Sequence, residues 1–393
     1  MATRETPVHF DFDNDDHAIR DALRRWGRER LAPHYQAREL ADRLEPALLL
    51  EMGENGFLGV DLPQAWGGLG ASAVTAGVVI EETAYHDFNV SYAQLLGSLM
   101  GGIVAEHASA SVAEPTVRAI CAGRALVALG LTEPGGGSDA ANLSLRAERI
   151  DGGYRLTGEK ASASFAGYAD QCVVLARTGE QATGARGITA LLVDLDAAGV
   201  SRRPYADLGT RPVGRGSLFF DGVEVPEARR LGREGEGFSQ VMRGFDYSRA
   251  LIALQCLGAA RASMDETWAF VSERRAFGRP IAKFQGVTEP LAVFETQIEA
   301  ARLLCYKALW LKDRGLPHTS EAAMVKWWAP KLACDAIQQC LITQGHVGYT
   351  MELPHQQRLR DVLGLQIGDG TAQIQKMIVA RERIGRAAVP YVD

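Results

Sequence analysis

Near the C-terminus the sequence LQIGDGTAQIQKMIVARERIGR sets a single acid, Asp369, between Gly368 and Gly370, ahead of an amphipathic run with no glycine until Gly385. A carboxylate there can cap the helix that the run implies, or it can act as a base. On local sequence the cap is the ordinary use, because Asp beside Gly is common where helices start. A second stretch, LTEPGGGSDAAN from Leu131 to Asn142, joins three glycines to the hydroxyls of Thr132 and Ser138. Glycine lets a ligand come close to the backbone, and exposed amides and hydroxyls can donate to a phosphate or to a heteroaromatic edge. No G-K-[S/T] follows these glycines and no G-x-G-x-x-G is formed, so the loop is neither a P-loop nor a dinucleotide fingerprint. Taken alone it reads as a turn. A third stretch, GFDYSR, places Asp246 and Arg249 three residues apart, the spacing of an ion pair along a helix.

Other chemistries lack their residues. The six cysteines (Cys121, Cys172, Cys256, Cys305, Cys334, Cys340) form no C-x-x-C pair, and the eight histidines form no H-E-x-x-H. These spacings imply reduced thiols in the core and no metal site. The net charge of −6, with scattered positive residues, offers no footprint for nucleic acid. The start, MATRETPVHFDFDNDD, is acidic and lacks an apolar leader core, and the apolar stretch AQLLGSLMGGIVA is too short and glycine-rich to span a bilayer. A cytoplasmic protein without a membrane segment is expected.

Three stretches of different texture must position these residues. With 393 residues, 47% hydrophobic and 23% charged, the chain is long enough for several packed layers. Residues 1–124 are expected to form a helical domain, since in DDHAIRDALRRWGRERL the residues Ile19, Leu23, Trp26 and Leu31 recur near the 3.6-residue period. Across 125–237 the pattern shifts to short β-branched or aromatic runs, YRLTG, CVVLART, GITALLVDL and SLFFDGVEV, punctuated by Asp151-Gly152-Gly153 and Asp221-Gly222. That texture predicts a small antiparallel β domain. Long helical patterns return over 238–393.

Taken together, LTEPGGGSD, GEKASASFAG, GFDYSRALIALQCLG, ERRAFGRPIAKFQ and IGDGTAQIQKMIVARERI stand in the order and spacing found in acyl-CoA dehydrogenases. The chain resembles that family over nearly its whole length. The resemblance implies an α+β multidomain fold: an N-terminal helical domain, a central antiparallel β domain and a C-terminal four-helix bundle. It implies FAD held between the second and third domains, an acyl-CoA substrate, an electron-transfer flavoprotein as electron acceptor, and a homotetramer. Position by position, Leu131 and Thr132 would contact the flavin ring, Ser138 would lie by the pyrophosphate and substrate, and Ser164 would stand beside flavin N5. Arg274, Phe277 and Gln285 would reach the FAD of a neighbouring subunit, and Thr371 and Gln373 would add cofactor contacts. Phe245, Asp246 and Arg249 would line the thioester channel. A guanidinium suits pyrophosphate oxygens and hydroxyls suit the polar flavin edge, although an exposed helix charge remains the ordinary use of Arg274.

The family's reaction removes two hydrogens from adjacent carbons beside a thioester. It needs a base for the acidic α-proton and an acceptor for the β-hydride. The family's base is usually a Glu; the match here is Asp369, in Gly-Asp-Gly, with flavin N5 as hydride acceptor. Some members put the acid on the GFDYSR helix, but this chain has Ser248 there. The helix N-terminus would favour the ionised carboxylate and burial the protonated form, and sequence leaves open which prevails. Two departures concern the substrate. Gly368 stands where a large aromatic is common, and Ser162 where a Trp is common, so bulk is missing near the reacting carbons. Asp also reaches about 1.5 Å less than Glu. An alicyclic or α-branched thioester would fit, and an Asp base resembles the cyclohexane-1-carboxyl-CoA dehydrogenases. Short- or medium-chain acyl-CoA, an acyl carrier protein thioester, nitroalkane-type oxidation and a non-catalytic FAD-binding relative are the alternatives. Tyr92, Gln94, Leu95 and Ser98 are candidates for the acyl pocket, and Gln285 and His346 are expected in loops.

Overall fold

The computed structural model describes residues 12–388. The acidic N-terminal stretch as far as residue 11 and the last five residues of the 238–393 stretch lie outside the described residues. The first layer is helical: α1 (Asn14–Trp26), α2 (Tyr35–Arg38), α3 (Pro46–Glu54), α4 (Ala73–His86), α5 (Ser91–His107) and α6 (Ala110–Cys121). Helix α1 begins where the Asp13 side chain accepts from the Asp16 amide at 2.8 Å, and its apolar stripe buries Leu23.

Eight strands follow: β1 (Val127–Gly130), β2 (Arg146–Ile150), β3 (Gly153–Ala163), β4 (Gln171–Arg177), β5 (Ile188–Asp194), β6 (Val200–Pro204), β7 (Gly216–Pro226) and β8 (Arg230–Leu231). They form one sheet in the order β6-β7-β3-β2-β4-β5-β8, with β1 added beside β4. The expected antiparallel domain is corrected in one respect. β1 pairs parallel with β4, Val127 opposite Gln171, and β2 touches β4 in parallel at Arg146 and Arg177. The β2–β3 hairpin separates β1 from β4, and such a long crossover permits parallel pairing. Asp151-Gly152 does turn the chain, between Ile150 and Gly153. Asp221-Gly222 does not. It is a bulge inside β7, because β3 pairs Leu156 with Val223 and Thr157 with Asp221, leaving Gly222 as the extra residue at φ 67°.

The last layer is long helices: α7 (Gly237–Glu273), a hairpin of β9 (Arg275–Ala276) and β10 (Arg279–Pro280), then α8 (Gln285–Asp313), α9 (Thr319–Thr343), α10 (His355–Leu363) and α11 (Ala372–Ile384). Helix α7 starts against the sheet: a Cβ on Gly237 would come within 2.4 Å of the Ala190 amide nitrogen on β5. A side chain there would push the helical layer off the sheet. All three layers meet at Asp361 of α10, whose buried carboxylate accepts from Tyr35 Oη at 2.7 Å, Asn89 Nδ2 at 3.1 Å and the Thr210 amide at 2.6 Å. Among the described residues no helix is long and apolar enough to cross a membrane.

Candidate active site

The loop between α10 and α11 carries Asp369. Helix α11 is capped by Thr371, whose hydroxyl accepts from the Ile374 amide at 3.5 Å. The capping use of Asp369 is therefore taken by its neighbour two residues on. Asp369 itself stands at φ 54°, a left-handed conformation that Asp tolerates but that costs energy. Two side chains hold the loop there through its carbonyls. Gln375, buried on α11, donates to Asp369 O at 3.3 Å and Gly370 O at 3.4 Å. Lys326, buried on α9, donates to Leu365 O at 2.8 Å and Gly370 O at 3.4 Å.

Electrostatics at the acid answers the question left open by sequence. Asp369 is half-buried, and loss of water around it is the largest influence on its carboxyl, raising it above its ordinary value, while the charges of Lys326 and then Arg249 pull it back. Desolvation prevails over these two cations. The raised direction suits a base that must be ionised to accept a proton yet release it afterwards. Gly368, just before it, is exposed, and a Cβ there would meet nothing closer than Gly364 O at 3.7 Å. Its φ is not in the left-handed region that would demand glycine. The missing side chain leaves room beside the acid rather than serving the turn.

Arg249 and Phe245 are buried on α7 and Asp246 is half-buried. Arg249 Nη1 donates to Asp246 Oδ1 at 2.8 Å, and its guanidinium lies 5.7 Å from the Phe245 ring centroid. The i, i+3 ion pair and a place near Asp369 hold at once. Asp246 Oδ2 also accepts from Thr319 Oγ1 at 2.7 Å. Ser248, next along the helix, is buried and its hydroxyl has no hydrogen-bond partner among the described residues. Tyr92 of α5 is buried; after that burial and Cys256, the charge of Asp369 is the next influence on its phenol. Gln94 and Ser98 line a cavity of about 10 Å³ beside Val79, Ile80 and Leu251, which Leu95 and Tyr92 do not border.

On the sheet, Leu131 is buried and Thr132 half-buried at the end of β1, while Gly135, Gly136, Gly137 and Ser138 are exposed. A buried ion pair anchors this loop: Lys160 Nζ donates to Glu133 Oε1 at 2.6 Å and to Leu131 O at 3.2 Å. Glu133 also accepts from the Ser144 and Leu145 amides at 2.7 and 2.9 Å and from the Ser144 hydroxyl. Burial pushes its carboxyl up, but Lys160 and these donors outweigh it, and the carboxyl ends below its usual value. Beyond Lys160 the β3–β7 register slips, and half-buried Ser164 is flanked by left-handed Ser162 (φ 59°) and Phe165 (φ 62°). A bulky residue at positive φ is strained, and such strain concentrates where a site needs a side chain aimed. Thr132 and Ser138 bring hydroxyls to an open glycine loop, where a Cβ on Gly135 or Gly136 would meet nothing within 4 Å, and Ser164 brings another near the end of β3, which the Ala161 amide ties to Thr132 O at 2.8 Å; hydroxyls and free amides of this kind suit the polar edge and phosphates of a flavin nucleotide.

Three expected residues sit where α7 gives way to α8: Arg274 at the C-cap of α7, Phe277 in the turn between β9 and β10, and Gln285 at the start of α8. Arg274 and Gln285 are exposed, and Phe277 is 92% exposed at φ 51°. Gln285 is the first residue of α8, not a loop residue, because Phe284 before it is already the extended cap. His346 is exposed in the turn before residues 347–349, and exposed Gln373 follows the cap on α11. Sequence reasoning missed Lys326, Gln375 and the Lys160–Glu133 pair. A signal existed for Lys326: in EAAMVKWWAPKL it occupies an apolar position, four residues from Ala322 and three from Ala329, both fully buried. Among the described residues no group of three or more His, Cys, Asp and Glu is arranged for a metal ion.

Family sequence models match along the chain: acyl-CoA dehydrogenase, N-terminal domain at residues 13–124, middle domain at 128–223 and C-terminal domain at 235–384. A probable acyl-CoA dehydrogenase, YngJ of Bacillus subtilis, is 32% identical over 378 residues, 95% of this chain and 99% of its own. The caffeyl-CoA reductase-Etf complex subunit CarC of Acetobacterium woodii is 32% identical over 87% of this chain and 92% of its own. The structure of butyryl-CoA dehydrogenase from Megasphaera elsdenii is similar with a TM-score of 0.92 and 29% identity, covering 96% of this chain and all of that one.

Proposed function

Because this chain belongs to the acyl-CoA dehydrogenase family, and is thus an FAD-dependent oxidoreductase acting on acyl-CoA, we propose that it desaturates an alicyclic or α-branched thioester with Asp369 as α-proton base. The observation that carries this reading is the setting of Asp369: a half-buried carboxylate on a strained backbone, relieved of capping by Thr371, beside unfilled room at Gly368. Cyclohexane-1-carboxyl-CoA, converted to the cyclohex-1-ene thioester, is the proposed substrate. Its ring needs width at the α-carbon, which the small residues Gly368 and Ser162, both exposed, would leave.

When bound, FAD supplies the acceptor for the β-hydride. Thr132, Ser138 and Ser164 would hold its polar edge and phosphates, with Leu131 against the ring and Thr371 and Gln373 adding contacts. The chain's own work is to place the acid and take the α-proton onto a carboxylate oxygen of Asp369. A carboxyl raised by burial is matched to that transfer more closely than an exposed one. Phe245 and Arg249 would border the thioester, and Arg249 is kept in place by Asp246.

Arg274, Phe277 and Gln285 would serve the FAD of a neighbouring copy in a homotetramer. The outward placement of all three residues supports that reading, since a group that serves a neighbouring copy must be exposed on its own chain. An electron-transfer flavoprotein is the proposed acceptor, supported by the relative named as a subunit of a reductase-Etf complex. The test is anaerobic: FAD-loaded protein is mixed with cyclohexane-1-carboxyl-CoA, butyryl-CoA and octanoyl-CoA while flavin absorbance is followed. Fastest bleaching by the cyclohexane thioester is expected, and no bleaching by any thioester would overturn the dehydrogenation itself.

A further inference from the structure

Lys326 is 1% exposed, and its ammonium is bonded to carbonyls at both ends of the segment that bears Asp369, Leu365 O at 2.8 Å and Gly370 O at 3.4 Å. It forms no ion pair with a carboxylate among the described residues. A buried ammonium satisfied only by neutral carbonyls is costly, and hydrocarbon would fill the same space without that cost. The two carbonyls explain its hydrogen bonds but not its charge.

The groups that act on this ammonium and on Asp369 come from several helices. From α7 these are Arg249, itself paired with Asp246, and the buried Cys256; on α5 the Tyr92 phenol feels the charge of Asp369, and Arg381 of α11 reaches the site by acting on Arg249. Burial lowers Lys326 to about 8, with Asp369 the first charge opposing that fall. Lys326 is in turn the leading charge drawing the Asp369 carboxyl back down.

We propose that Lys326 is a positioning residue for Asp369: its ammonium ties both ends of the Leu365–Gly370 segment to α9, and so sets where the carboxylate stands and holds a positive charge on the segment that carries it. The proposal deepens the reading of Asp369 as base and rests on it. Lysine here does two things that no neutral residue does together. Glutamine would retain a donor for a carbonyl and lose the charge, whereas methionine would retain the stem and lose both.

The experiment is the pH profile of anaerobic flavin reduction, at saturating thioester, for the FAD-loaded parent, Lys326→Gln and Lys326→Met. Removing the cation raises the carboxyl further, so the protonated, inactive form persists to higher pH. The acid limb is expected to move up by about one pH unit in both variants, a roughly tenfold slower reduction on that limb. At high pH Lys326→Gln approaches the parent rate, and Lys326→Met, with the segment untied, stays slower. Flavin content and the visible FAD spectrum are read on the same samples. Acid limbs that coincide with the parent's would overturn the proposal. So would failure of both variants to retain FAD, which would make Lys326 a support of the fold or cofactor instead. A parent that no thioester bleaches counts against the dehydrogenation reading; unmoved limbs in variants of a parent that does bleach count against Lys326 alone.

Discussion

Two lysines, one on each side of the candidate site, are buried and both donate to main-chain carbonyls, yet they are built differently. Lys160 holds the glycine loop through Leu131 O and has Glu133 at 2.6 Å. Lys326 holds the Asp369 segment through Leu365 O and Gly370 O and has no such partner among the described residues. In the first case the charge is consumed locally, and Glu133 spreads it into the Ser144 and Leu145 amides. That arrangement fixes a loop. In the second the charge remains available to the next anion in the site, Asp369. A closed pair provides rigidity; an open cation also tunes.

The largest effect expected is on the anion itself. Asp369→Ala should slow anaerobic flavin reduction by about 10³-fold or more, in line with loss of a general base, with FAD still bound. A normal rate would remove the reason for contrasting the two lysines. Next comes Glu133→Gln, which leaves Lys160 buried without its counter-charge. Such breaks cost about 3 to 5 kcal/mol, which denaturant titration would register. The third concerns room rather than charge: Gly368→Phe should leave stability within about 1 kcal/mol, since a Cβ fits there, yet slow the cyclohexane thioester relative to butyryl-CoA by about tenfold or more. Competition between the two substrates measures that ratio.

The smallest effect sharpens the contrast most. Lys326→Met should change stability by no more than about 1 kcal/mol at pH 7, because an unpaired buried ammonium gives way to hydrocarbon of like shape. The sign with pH follows from the lysine lying at about 8 when folded, below its usual 10.5. Between those values the unfolded chain binds the extra proton, so stability contributed by this group rises with pH. Any advantage of the methionine variant at pH 7 should shrink as pH climbs from 8 toward 10.5, and paired thermal melts would show it. A Lys326→Met loss as large as that of Glu133→Gln would erase the distinction between the lysines.

The helical, β, helical order was legible because the 3.6-residue recurrence of Ile19, Leu23 and Trp26 differs plainly from the β-branched runs at CVVLART and GITALLVDL. Asp221-Gly222 misled because the same dipeptide serves a hairpin or a bulge, and only the partner strand decides which. Likewise Asp369 and Thr371 both have capping side chains two residues apart, and it takes the backbone of α11 to give the cap to Thr371. Lys326 showed itself in sequence only as a charge on an apolar stripe. Its partners, the carbonyls of Leu365 and Gly370, lie 39 and 44 residues away and have no side-chain signature. Gln375 escaped for the same reason, since its targets are the carbonyls of Asp369 and Gly370.

The central claim is that Asp369 takes the α-proton, and the most direct measurement follows that proton. The FAD-loaded protein and Asp369→Asn are incubated anaerobically with cyclohexane-1-carboxyl-CoA in deuterated buffer, and deuterium at the α-carbon of the remaining thioester is measured by mass spectrometry. The parent is expected to incorporate deuterium and the asparagine variant to leave the α-hydrogen in place. Equal incorporation by both would contradict the assignment.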